Sequence, residues 1–125
     1  MKAGDTFYLS NRGVDGHLWV VISDPEKDAE RVILVSMTTY EDHKEDVCLI
    51  EVGEHARVSH KTCIAYNEAR MTTLEKLNVL RDGGHLVAQP PASNELLARI
   101  RDGVSRSARI KYRFIEILLE QGVIE

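Results

Sequence analysis

Cysteine is scarce in this chain of 125 residues: Cys48 and Cys63 are the only two, too few for a disulfide framework. Long apolar runs are missing as well. The longest, at residues 18–22 and 32–35, fall far short of the roughly 20 apolar residues that a membrane-spanning helix needs. Residues 1–5 lead straight into a strand-like pattern with no apolar signal segment. The chain is therefore expected to be cytoplasmic, with both thiols reduced and no membrane partner. No repeat or low-complexity stretch interrupts it. Aromatics are only 6% of the residues, and Tyr112 alone sits among the basic residues of the tail, which speaks against a base-stacking platform there.

What remains is the composition of an ordinary globular chain, 43% hydrophobic and 29% charged, of a length that suits one domain. The net charge of −4 disfavours nucleic acid as a partner in bulk, but it hides an asymmetry. Residues 1–92 hold 10 Lys and Arg against 15 Asp and Glu, whereas residues 93–125 hold 6 against 5. All six of those cations lie between Arg99 and Arg113.

The apolar pattern divides the chain at about the same place. Residues 5–10 alternate as a strand does, with Phe7 and Leu9 on one face. Residues 11–16, rich in Asn and Gly, read as a turn. Residues 18–23 and 31–37 are continuously apolar and β-branched, as strands buried on both faces would be. Residues 47–52 and 64–68 predict further strands, and residues 86–88 a last short one. Leu74, Leu77 and Leu80 predict a short helix capped by Thr72 or Thr73. A helix capped by Ser93 or Asn94 is expected to close at Gly103, with Ser105 capping the next. Ile110, Phe114, Ile117 and Leu118 then form an amphipathic stripe up to Gly122. The expected fold class is α+β and mainly β: a small barrel-like body over residues 1–92, followed by C-terminal helices over 93–125.

Three phrases carry a resemblance. Gly-Asp-Thr-Phe-Tyr-Leu opens at Gly4, His-Leu-Trp-Val-Val-Ile-Ser at His17, and Val-Ile-Leu-Val-Ser-Met-Thr-Thr at Val32. Together they resemble the MazF/PemK family of toxin endoribonucleases over roughly residues 4–103. The resemblance implies an SH3-like barrel with appended helices, a homodimer, and cleavage of single-stranded RNA without a metal or cofactor. It also implies an antitoxin protein as partner. The family's catalytic threonine matches Thr38. Its catalytic arginine falls on His17, and Leu18 replaces the proline that follows it. Residues 104–125 extend beyond the usual family length.

Cleavage of RNA by its own 2′-hydroxyl needs a base, an acid and groups that stabilise the phosphorane. Histidine suits the first two roles. The candidate catalytic residues are therefore His17 and His60 as acid and base, with Thr38 as a donor to the phosphate. Candidate RNA-binding residues are Arg12, Thr39, Lys61, Arg70, Arg106, Arg109 and Arg113. Arg106, Arg109 and Arg113 fall at i, i+3 and i+7, so one helical face is expected to be cationic. Each residue also has a plainer reading: the histidines as loop or structural residues, Thr38 as a turn residue bonded to its own backbone, and the arginines as a solvated face. A barrel that binds nucleic acid or a protein partner without catalysis is the alternative function. Cys48, His55, His60 and Cys63 have the atom types for zinc but an irregular spacing without a C-x-x-C pair, so no metal is expected. Trp19 and Tyr66 read as packing residues.

Overall fold

The computed structural model describes residues 1–9 and 16–125. Arg12 and all but Gly16 of the turn expected at residues 11–16 lie outside them. Among the described residues there are six strands and three helices: β1 (Thr6–Leu9), β2 (Leu18–Val21), β3 (Val32–Thr39), β4 (Leu49–Ile50), β5 (Thr62–Thr72), α1 (Leu74–Asp82), β6 (Leu86–Gln89), α2 (Asn94–Arg106) and α3 (Tyr112–Glu120). The strands form one antiparallel sheet in the order β4-β5-β3-β2-β1-β6, curled into a half-barrel. The fold class is α+β.

The unbroken apolar runs of β2 and β3 are explained by burial on both sides of the sheet. Leu18 pairs with Met37 and Val20 with Val35, and these face α2 and α3 in a core that includes Leu96, Ile100, Phe114 and Leu118. Val21 pairs with Leu34 and Trp19 with Ser36. That opposite face joins Phe7, Leu77 of α1 and Leu86 of β6 in a second core. Polar alternation would have exposed one face to solvent, and neither face is exposed. Phe114, Ile117 and Leu118 belong to the first core, so the last helix packs on its own chain.

β5 is longer than the expected 64–68 because it bends. Leu34 pairs with Arg70 and Ser36 with Ala65, so Val35 alone spans residues 66–69 on the other strand. An irregularity of this kind bends a strand sharply and re-aims its side chains. β4 is shorter than expected, two residues at the sheet edge.

Two helix starts follow their caps. Thr73 accepts a hydrogen bond from the Lys76 amide at 3.1 Å, and Ser93 accepts one from the Leu96 amide at 3.0 Å. The end of α2 differs from expectation. Gly103 does not close it; the helix runs on to Arg106, Ser105 lies inside it, and Ser107 stands at its C-terminal cap. The reason is packing, since Gly103 is buried against the Tyr66 ring, whose hydroxyl donates to the Ile100 carbonyl at 2.7 Å. The shared cationic face is corrected with it. Arg106 ends α2, Arg109 lies in the connector and Arg113 lies in α3, so the three are not on one helix.

Arg99 of α2 holds the loop after β4, pairing with the Glu54 carboxylate and donating to the Leu49 carbonyl at 2.6 Å. The hydrogen bond from Arg99, and then that from the Glu51 amide, hold the Glu54 carboxyl below its ordinary value of 4.5. A depressed carboxyl stabilises the fold above its unfolded value, and that contribution is lost as pH falls through the lowered one. The pair is partly solvent-exposed, so Glu54→Gln is expected to cost about 0.5–1 kcal/mol at pH 7. The gap from wild type should shrink near pH 3, as thermal unfolding at both pH values would show. None of the described helices is long and apolar enough to cross a membrane.

Candidate functional site

The sheet register brings three strand ends together. Leu18 of β2 pairs with Met37 of β3, which sets His17, one residue before β2, beside Thr38. Thr38 and Thr39 in turn pair with Cys63 and Thr62 at the start of β5, just after His60. The result is an open cleft of about 340 Å³ whose lining includes His17, Thr38, Thr39, Arg57, Ser59 and His60. His17 and His60, 43 positions apart in sequence, thus line one cleft.

His60 is exposed and bonded at both ring nitrogens to hydroxyls. Its Nε2 lies 2.7 Å from Thr39 Oγ1 and its Nδ1 3.1 Å from Ser59 Oγ. A hydroxyl both donates and accepts, so these partners fit either neutral tautomer as well as the imidazolium. His17 Nε2 lies 4.0 Å from Glu68 Oε2. Lys44 Nζ donates to Thr38 Oγ1 at 3.2 Å and to the Thr39 carbonyl at 2.7 Å. Arg57 Nε donates to Gln89 Oε1 at 2.6 Å, and among the described residues its terminal nitrogens have no protein partner.

Lys44, Arg57 and Ser59 were not singled out from the sequence. Lys44 had a signal, as the lone cation in the acidic stretch 41–46. Arg57 and Ser59 had none beyond proximity to His60.

The other sequence candidates are scattered. Lys61 lies over the Tyr40 ring at 5.4 Å, and Arg70 over the Trp19 ring at 4.7 Å. Arg113 lies over the ring of its neighbour Phe114, and Arg106 pairs with Asp102. None of these four lines the cleft. Arg109 does not line it either: its guanidinium donates to the His43 carbonyl at 3.2 Å, on the loop that bears Lys44. Glu45 closes the same clasp, accepting from Ser107 Oγ at 2.7 Å and the Ala108 amide at 2.9 Å. The tail's cations therefore serve mostly to fasten helices and loops.

The four residues with donor atoms suited to zinc are placed differently. Buried His55 accepts from the Arg57 amide at Nδ1, 3.0 Å, so its Nε2 carries the proton and donates to the Pro90 carbonyl at 2.6 Å. Both ring nitrogens are thus committed to holding the chain. Cys48 and Cys63 are buried, and burial pushes both thiols up, away from the thiolate a metal would need. Among the described residues no three His, Cys, Asp or Glu side chains are grouped to hold a metal ion.

No protein-family model matches the sequence, and no curated protein matches it.

Proposed function

We propose that the chain is an endoribonuclease of the MazF/PemK kind, cutting single-stranded RNA by attack of a ribose 2′-hydroxyl. The observation that supports this best is the makeup of the cleft. Two histidines stand with the hydroxyls of Thr38, Thr39 and Ser59 and the guanidinium of Arg57. No carboxylate is among the described residues that line it, although the chain as a whole is acidic. Such a lining attracts a phosphodiester and offers it an acid and a base.

In this reading His60 takes the 2′-hydroxyl proton at Nε2 or Nδ1 as that oxygen attacks phosphorus. The 5′-oxygen departs with a proton from His17, whose imidazolium has the Glu68 carboxylate to face. The products are a 2′,3′-cyclic phosphate and a 5′-hydroxyl. Thr38, with Lys44 behind it, and Arg57 stabilise the charge that gathers on the phosphorane oxygens. Imidazoles take the place that an arginine holds in the family, and the chemistry calls on no metal. The curled sheet is then an SH3-like barrel, and the protein acts in the cytoplasm as a homodimer held in check by an antitoxin protein.

Incubation of the purified chain with mixed-sequence RNA in EDTA is expected to release fragments ending in cyclic phosphate. His17→Ala should slow this by about 10²-fold or more. RNA that is bound but left intact would overturn the reading and favour the non-catalytic binding barrel.

A further inference from the structure

A second cleft of about 380 Å³ adjoins the first and shares His17 and Thr38 with it. Its lining differs in kind, because two carboxylates, Glu45 and Glu68, stand there with Lys44 and Arg109, and Asn67 adds an amide. The two cations are already bonded to the protein, Lys44 to Thr38 and Thr39 and Arg109 to the His43 carbonyl, whereas a carboxylate is an acceptor that suits the N–H donors on the edge of a nucleobase. Glu45 is already engaged at both oxygens by Ser107 and Ala108. Glu68 is not so engaged. It is exposed where residues 66–69 bow away from β3, and His17 Nε2 lies 4.0 Å from its carboxylate, beyond hydrogen-bond reach. Buried Ile64 and Ala65 add apolar surface to the lining.

We propose that this second cleft binds a guanine base, that of the nucleoside adjoining the scissile phosphate, with Glu68 as its reader and Asn67 beside it. The proposal rests on the ribonuclease reading of the first cleft. Guanine follows from the chemistry of its edge. A carboxylate offers two acceptors side by side, and among the four bases only guanine presents two adjacent donors, N1–H and the 2-amino group. Adenine and cytosine set a ring acceptor beside their amino group, which a carboxylate repels. Uracil flanks its single N–H with carbonyl oxygens. Because His17 and Thr38 line both clefts, a base in the second sets its own phosphate beside the histidines of the first.

The test uses the full chain and RNA oligonucleotides with one guanosine, or inosine or adenosine in its place. Inosine lacks only the 2-amino group. Wild type is expected to cut beside guanosine with kcat/KM about tenfold above inosine, the size of one good paired contact, and further above adenosine. Glu68→Gln should bring the guanosine-to-inosine ratio close to one, whatever it does to the absolute rate through His17. Cleavage by wild type that ignores the base, or a ratio kept in Glu68→Gln, would overturn the guanine site and leave the ribonuclease standing. If no RNA is cut, the ribonuclease reading fails, and guanosine titrated against the chain decides the site alone. Binding that is weaker for inosine and lost in Glu68→Gln supports it, and the absence of binding overturns it.

Discussion

His60→Ala is expected to lower the rate of RNA cleavage by about 10²–10⁴-fold, the usual worth of a positioned general acid or base. The loss should fall on kcat, with KM little changed, because His60 moves a proton in the transition state and does not anchor the substrate. Its position makes the substitution clean. The side chain is exposed, and its partners are the hydroxyls of Thr39 and Ser59. Removing it opens no core cavity, so stability should stay within about 0.5 kcal/mol of wild type. Thr39→Val removes one partner and keeps the shape, and should cost much less than the loss of the ring. The pair of histidines gives a sharper check. If His17 and His60 act in one step, the double replacement should cost far less than the product of the two single losses. Full activity in His60→Ala, or two losses that simply multiply, would sink the paired acid–base scheme.

How much of this was legible in the sequence depended on how far each feature reaches along the chain. β2 and β3 announced themselves because burial on both faces leaves an unbroken apolar, β-branched run. Once those strands were set, so was the neighbourhood of His17 and Thr38, since strand ends that pair are neighbours. His60 came into the same cleft by a similar route, through the pairing of β3 with β5. β5 itself was half hidden, because Asn67, Glu68 and Arg70 break the apolar pattern where the strand bends, and a bend has no period to detect. Lys44 reaches Thr38 only through the shape of its loop, and that shape is set where Glu45 and the His43 carbonyl accept from Ser107, Ala108 and Arg109 of the α2–α3 connector. Nothing near Lys44 in sequence marks that clasp. The basic tail misled for a related reason. Spacing at i, i+3 and i+7 defines a helix face only if the helix is continuous, and it breaks between Arg106 and Tyr112.

Gly103→Ala is expected to destabilise the fold by about 2–3 kcal/mol, although alanine is the better helix former by about 1 kcal/mol. The two effects oppose each other, and the site decides which prevails. Gly103 is buried within α2, and a Cβ there would come 2.9 Å from Tyr66 Cζ and closer still to the hydroxyl. The ring cannot swing clear at little cost, because it is fully buried and its hydroxyl is bonded to the Ile100 carbonyl. Displacing it forfeits that bond, about 1 kcal/mol, on top of the overpacking. The size of the effect matters because the whole stability of a domain is only about 5–15 kcal/mol. A second substitution separates this account from a general intolerance of change. Tyr66→Phe should cost about 1 kcal/mol in the wild-type background by leaving the Ile100 carbonyl without its donor. In the Gly103→Ala background it removes the atom that clashes most, so there it should raise the melting temperature. That reversal of sign, read by thermal unfolding of the four proteins, is the expected mark of the contact. A glycine that merely ended an exposed helix would behave in the opposite way: Gly103→Ala would leave stability unchanged or increase it, and Tyr66→Phe would cost the same in both backgrounds.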